Sequence, residues 1–271
     1  MNRLAGLVCL ITGSTGIAAA SAERFADEGA SVFVTSRSEA HCRELADRVA
    51  ARGARVAYRP AELTDQAAVE GVVDACVGEF GRIDGLFSVA GGSGRRFGDG
   101  PIDELDGDAW DATLTLNLRS QALVCRSVVR QMRAQEPNES GTRGSILLMG
   151  SVTVTDPVPE LFGTHAYAAA KGAIAALTTA MAATYITDGI RVNAVAPSLT
   201  RTPMATRAAN DERILAFARR KQPLAGEMLD PAEVAHAAVY FLSAESRAVT
   251  GQVLKIDGGW SVVSVGPDDA G

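Results

Sequence analysis

Short apolar runs alternate with amphipathic stretches along most of this chain, and the alternation predicts its fold. Leu7 to Thr12 reads L-V-C-L-I-T, the unbroken apolar pattern of a strand buried on both faces. A glycine turn follows, T-G-S-T-G-I-A, then a helical stretch in which Ala22, Phe25 and Ala26 share one face before Gly29 ends it. The rhythm repeats through a strand Ser31 to Thr35, a helix His41 to Ala51, a strand Arg55 to Tyr58, a helix Asp65 to Phe80 and a strand Gly85 to Ala90. A glycine-rich loop leads to a long helical stretch, Gly107 to Arg133. Then come a strand Ser145 to Met149, a helix to about Thr187, a strand Ile190 to Ala196 and a last strand Gln252 to Ile256. Such alternation needs crossover connections. The expectation is therefore α/β: a single doubly wound domain with a parallel seven-stranded sheet and helices on both faces. No repeat or composition break divides the chain, so residues 1–260 read as one domain and 261–271 as a polar, frayed tail.

Composition narrows the function. With 271 residues, 47% hydrophobic and 21% charged, the chain can bury one large core. A formal net charge of -6 argues against nucleic acid as a partner. Cys9, Cys42, Cys76 and Cys125 show neither a C-x-x-C pair nor metal-ligand spacing, so buried free thiols in a reducing compartment and no metal are expected. The sequence offers no signal-peptide plan and no apolar run of the ~18 residues that span a membrane. A cytoplasmic protein without a membrane partner is the reading.

Candidate chemistry lies at the turns. Gly13 and Gly16 follow a buried strand and precede a helix, where backbone N–H groups at the helix N-terminus can cradle a phosphate. The second strand ends in T-S-R-S, placing Ser36 and Arg37 where an acid would bind a ribose 2′-hydroxyl and an arginine a 2′-phosphate. That favours NADP(H) over NAD(H). Tyr167 and Lys171, four apart in an alanine-rich run, share a helix face, and a positive charge nearby lowers a phenol's pKa.

These motifs, in this order, make the chain resemble the short-chain dehydrogenase/reductase family from about Gly6 to Gly259, which implies a Rossmann domain. T-G-S-T-G-I-A is similar to the family's glycine motif, one residue shorter and with Ala18 as its last member. Ala61-Glu62-Leu63 stands where the family places an Asp and an apolar residue against adenine, and F-S-V-A-G resembles the asparagine-rich motif with Ser88 and Val89 in place of both asparagines. Asn117 matches the family's helix asparagine, Ser151 its catalytic serine, and Y-A-A-A-K its Y-x-x-x-K signature. R-V-N-A-V-A-P-S-L-T-R-T-P-M resembles the segment that closes the cofactor site.

The resemblance implies reversible hydride transfer between NADP(H) and a small carbonyl or secondary alcohol. Tyr167 would be the acid, Lys171 would lower its pKa together with the oxidised nicotinamide, Ser151 would hold the substrate oxygen, and Asn117 would hold a water connecting Lys171 to solvent. Cofactor contacts fall on Gly13, Ser14, Thr15, Gly16, Ile17, Ser36, Arg37, Glu62, Leu63, Ala90, Gly91, Tyr167, Lys171, Pro197, Thr200 and Thr202. The segment from Ser151 to Tyr167 is longer than usual, which leaves Thr153 as an alternative hydroxyl and marks the loop as a specificity element. His165, Arg95 and Arg96 are either substrate contacts, the arginines for a carboxylate or phosphate, or solvated side chains. Residues 202–226, amphipathic around Ile214, Leu215 and Phe217, correspond to the family's mobile lid. Two narrower or different functions stay open: a reductase of 3-oxoacyl thioesters, and a non-redox nucleotide-binding sensor or scaffold. The two long helices and the last strand imply a homo-oligomer, a dimer or a homotetramer.

Overall fold

A computed structural model describes residues 2–265. Seven strands, β1 (Val8–Thr12), β2 (Ser31–Thr35), β3 (Val56–Tyr58), β4 (Gly85–Ser88), β5 (Gly144–Met149), β6 (Ile190–Pro197) and β7 (Val253–Ile256), form one sheet in the order β3-β2-β1-β4-β5-β6-β7. Every pairing is parallel. The doubly wound α/β sheet expected from the alternation is the one observed.

The helices are α1 (Ile17–Asp27), α2 (Glu39–Ala50), α3 (Gln66–Phe80), α4 (Gly107–Leu114), α5 (Ser120–Ala134), α6 (Pro159–Phe162), α7 (His165–Tyr185), α8 (Thr206–Ala209), α9 (Glu212–Lys221) and α10 (Pro231–Leu242). Strand residues alternate between two cores. Cys9 and Ile11 of β1 pack with Phe25 of α1 and Val239 of α10, whereas Val8 and Leu10 pack with Val128 of α5 and Ile174 of α7. All four cysteines are free and buried. No helix among the described residues is long and apolar enough to cross a membrane.

Three elements depart from the sequence expectation. β4 stops at Ser88 instead of Ala90, because the N–H groups of Val89 and Ala90 donate to Thr12 Oγ1 at 2.9 and 3.0 Å instead of continuing the ladder. The helix expected over Gly107 to Arg133 is interrupted by a π turn at Thr115–Arg119. There Asn117 Nδ2 takes the Thr113 carbonyl and Ser120 Oγ the Leu116 carbonyl, acceptors that an α-helix gives to backbone N–H groups. Finally, α10 is absent from the expected elements, although Asp230 caps it through Ala232 N and Pro231 occupies its first turn.

The chain beyond Gly259 is held at its start. Trp260 is buried, Ser261 Oγ donates to Asp257, and the Val263 carbonyl accepts from Lys221 Nζ. The rest of the tail, 266–271, lies outside the described residues.

Candidate active site

The sheet order reverses between β1 and β4, the place where ligands bind at the carboxyl ends of such strands. A cavity of about 810 Å³ opens there. It runs from the glycine turn after β1 to Tyr167 on α7 and is walled by the loops after β4, β5 and β6.

The glycine turn is shaped for a close ligand. Gly13 and Gly16 have φ of 98° and 55°, values that favour glycine. A Cβ on Gly16 would meet Thr202 Cγ2 at 2.8 Å, and one on Gly13 would meet the Ala18 methyl at 3.0 Å. The alanine at the motif's last position is thus accommodated over a glycine. No side chain caps α1 and its first turn holds no acid, so its N-terminal N–H groups are suited to a phosphate. Ser14 Oγ and Ser36 Oγ lie 2.8 Å apart, tying the turn to the end of β2. Arg37 is exposed beside them, 3.9 Å from the Glu62 carboxylate.

The expected acid–base residues come from three elements. α7 carries Tyr167 and Lys171, β5 delivers Ser151, and the π turn carries Asn117. Lys171 Nζ is 5.5 Å from the Tyr167 ring centroid and donates to the Met149 carbonyl at 2.8 Å. Ser151 Oγ and Thr153 Oγ1 are 2.9 Å apart, and both residues line the cavity. Asn117 is wholly buried: its Oδ1 accepts from Gly92 N and its Nδ2 donates to the Gly92 and Thr113 carbonyls, each at 3.0 Å. Its amide therefore clamps the loop after β4 to the helix, and its main-chain carbonyl receives Gln121 Nε2 at 3.1 Å.

Electrostatics correct one expectation. Desolvation pushes the Tyr167 phenol up to about 12, with the Ser151 hydroxyl pulling the other way. Burial also brings the Lys171 ammonium down to about 7. Among the protein's own groups, Lys171 does not depress the phenol, because a lysine buried this deeply is itself driven towards neutrality. Burial of Tyr167 instead favours the neutral phenol.

The other expected residues separate into two groups. Ser14, Thr15, Ile17, Arg37, Ala90, Gly91, Pro197, Thr200 and Thr202 line the cavity with Gly13 and Gly16. Ser36 stands one bond behind it, Glu62 is exposed, and Leu63 is buried in the core. His165 is exposed outside the cavity, whereas Arg95 and Arg96 line it. The loop from Val152 holds a short 3-10 turn and α6, and Phe162 and Thr164 face the cavity.

Three contributors escaped the sequence reading. Asp99, buried in the loop after β4, accepts Ala166 N at 3.0 Å and Tyr167 N at 2.9 Å. It caps α7 in place of Thr164, which makes no side-chain cap. Gln121 bonds both the N–H and the carbonyl of Met149, supporting the acceptor of Lys171. Its position four residues after Asn117 on one helix was the available signal. Trp260 lines the cavity and packs against Phe162 and Phe217, with centroids at 6.0 and 5.5 Å, while its Nε1 donates to the Asp156 carbonyl. It joins α9, the loop before α7 and the turn after β7. Among the described residues no cluster of His, Cys, Asp or Glu could hold a metal.

Comparison with known proteins agrees with this arrangement. Residues 11–261 match a family model described as enoyl-(acyl carrier protein) reductase. An A-factor type gamma-butyrolactone 1'-reductase (1S-forming) of Streptomyces virginiae is 36% identical, over 94% of this chain and 96% of that protein. A cis-4-hydroxycyclohexanecarboxylate dehydrogenase of Sinomonas cyclohexanicum is 33% identical, over 94% and 97%. A solved gluconate 5-dehydrogenase from Burkholderia cenocepacia, in complex with NADP and tartrate, superposes with a TM-score of 0.87 at 30% identity, covering 97% of this chain and 98% of that one. The chain belongs to the short-chain dehydrogenase/reductase family of NAD(P)-dependent oxidoreductases that act on CH–OH and C=O groups.

Proposed function

We propose that this protein interconverts a small-molecule carbonyl and its secondary alcohol with NADP(H), using Tyr167 as the general acid and base. The observation that carries the reading is Tyr167 beside Lys171 and Ser151 in the cavity that begins at the glycine turn. When bound, the cofactor supplies or accepts the hydride. Reduction leaves negative charge on the substrate oxygen, and Tyr167 delivers the proton there while Ser151 donates a hydrogen bond. Lys171, whose ammonium burial brings down to about 7, supplies the replacement proton to Tyr167.

The residues fit a dinucleotide. An uncapped helix N-terminus takes its pyrophosphate, with Thr202 packed against Gly16 of the glycine turn and Thr200 lining the same cavity. The preference for the 2′-phosphate rests on Arg37, Ser14 and Ser36 gathered where β2 ends, with no carboxylate on that strand. Arg37→Ala should weaken NADPH binding about 10- to 100-fold and leave NADH unchanged. Fluorescence titration with both cofactors measures it, and equal NADH and NADPH affinities in the wild type would overturn the preference. NADPH consumption over a panel of ketones, aldehydes and keto acids tests the reaction.

The open edge of β7, with Val253 and Leu254 exposed, suits a second copy of the chain, and we read the protein as a homo-oligomer acting in the cytoplasm.

A further inference from the structure

The charge of the cavity opposes that of the chain. The protein carries a formal net charge of -6, yet the cavity is lined by Arg37, Arg95, Arg96, Arg207 and Lys171 and by no aspartate or glutamate. Arg37 and Lys171 are accounted for by the proposed reaction. The other three arginines have no part in it.

Two of them converge. Arg95 comes from the turn after β4 and Arg207 from α8 of the lid, and the Nη2 atoms of both donate to the same Leu161 carbonyl oxygen, at 3.2 and 3.0 Å. Neither has a carboxylate within salt-bridge distance among the described residues, whereas Arg3, Arg52 and Arg219 each engage two acids. Asp99, whose charge reaches Arg95, spends its two oxygens on Ala166 N and Tyr167 N. Burial and then the charge of Arg207 hold the Arg95 guanidinium below its ordinary value, so the two cations feel one another. One neutral carbonyl does not balance two guanidinium groups. A planar anion between them replaces repulsion with charge-assisted hydrogen bonds, and each guanidinium keeps further N–H groups for that purpose.

We propose that Arg95 and Arg207 form a carboxylate-binding subsite, so that the substrate is a small keto acid or hydroxy acid whose reacting carbon lies at Tyr167 and whose carboxylate lies between the two arginines. This rests on the oxidoreductase reading above and adds the substrate class. A cavity of about 810 Å³ that must also hold a dinucleotide leaves room for a compact substrate. Because one arginine stands on the lid and the other on the loop after β4, an acid bridging them also fastens the lid over the site.

Two readouts test it. In the first, kcat/KM is measured with NADPH for keto acids of increasing length, their methyl esters and phosphomonoester analogues, on wild type and on Arg95→Gln/Arg207→Gln. Acid and ester share one enzyme preparation, so their ratio is independent of how much variant folds. The wild type should prefer its best acid over the matching ester about 10- to 100-fold, and the variant should bring that ratio near unity. In the second, succinate is titrated into the NADPH complex, with dimethyl succinate as control, which needs no turnover. Succinate should bind and the diester should not, and the double variant should lose at least about tenfold in succinate affinity. Equal use of acid and ester, an unchanged ratio in the variant, a preference for the phosphomonoester, or succinate binding that ignores the substitutions would each overturn the carboxylate subsite. Succinate binding without reduction of any compound would uphold the subsite and overturn the oxidoreductase reading instead.

Discussion

Tyr167→Phe should bind NADPH as tightly as the wild type and turn substrate over about 10²- to 10⁴-fold more slowly. The substitution removes one oxygen and nothing that shapes the cofactor cleft, whose phosphate end is built from the glycine turn and the end of β2. The loss falls on the proton. With the phenol held up to about 12, Tyr167 is a reservoir of one proton throughout the neutral range. Lys171, the neighbouring titratable group, is tied to the Met149 carbonyl. Stopped-flow binding and steady-state turnover on the same preparation separate the two effects. Turnover within a few-fold of wild type would remove Tyr167 from the chemistry.

A second large effect is expected far from Tyr167 in sequence. Asp99→Ala should destabilise the fold by about 2–4 kcal/mol, because it strips the first turn of α7 of a buried charged acceptor and leaves the Ala166 and Tyr167 N–H groups unpaired. Asp99→Asn, which keeps one carbonyl oxygen, should lie between. The loop is built to bring this carboxylate in: a Cβ on Gly94 would come within 2.6 Å of Asp99 Oδ2. Urea denaturation measures the loss. An alanine variant within 0.5 kcal/mol of wild type, the range of ordinary surface substitutions, would show that Asp99 does not hold the helix.

Asp99 also marks the boundary of what the sequence could tell. The sheet was legible because buried parallel strands leave short unbroken apolar runs, and Leu7 to Thr12 or Ile190 to Ala196 offer few other readings. Tyr167 and Lys171 were legible because helical spacing places them on one face without help from the rest of the chain. Asp99 meets α7 across 67 residues, and nothing in G-D-G distinguishes a buried cap from a turn aspartate. Trp260 was unreadable for the same reason: its partners Asp156, Phe162 and Phe217 come from two distant segments. α10 differs, for Asp230-Pro231 does spell a helix start. The direction of the Tyr167 pKa depended on burial, which no spacing reveals; spacing supplied Lys171 as a neighbour, and desolvation raises the phenol and lowers the ammonium alike.

The anionic subsite and the acid–base group stand on different elements. Arg95 and Arg207 come from the loop after β4 and from α8, whereas Tyr167, Lys171 and Ser151 come from α7 and the end of β5. Specificity can therefore change with the loops while the chemistry stays on the rigid part of the fold.

Hydride transfer itself is tested most directly with NADPH deuterated at the nicotinamide C4, incubated with a carbonyl compound that the enzyme consumes, the product alcohol then being examined by mass spectrometry. One deuterium on the former carbonyl carbon with wild-type protein, and none above background with Tyr167→Phe over the same period, is the expected result. NADPH that binds but passes no deuterium to any compound of the panel would contradict it, as would label transfer that proceeds undiminished without the Tyr167 hydroxyl.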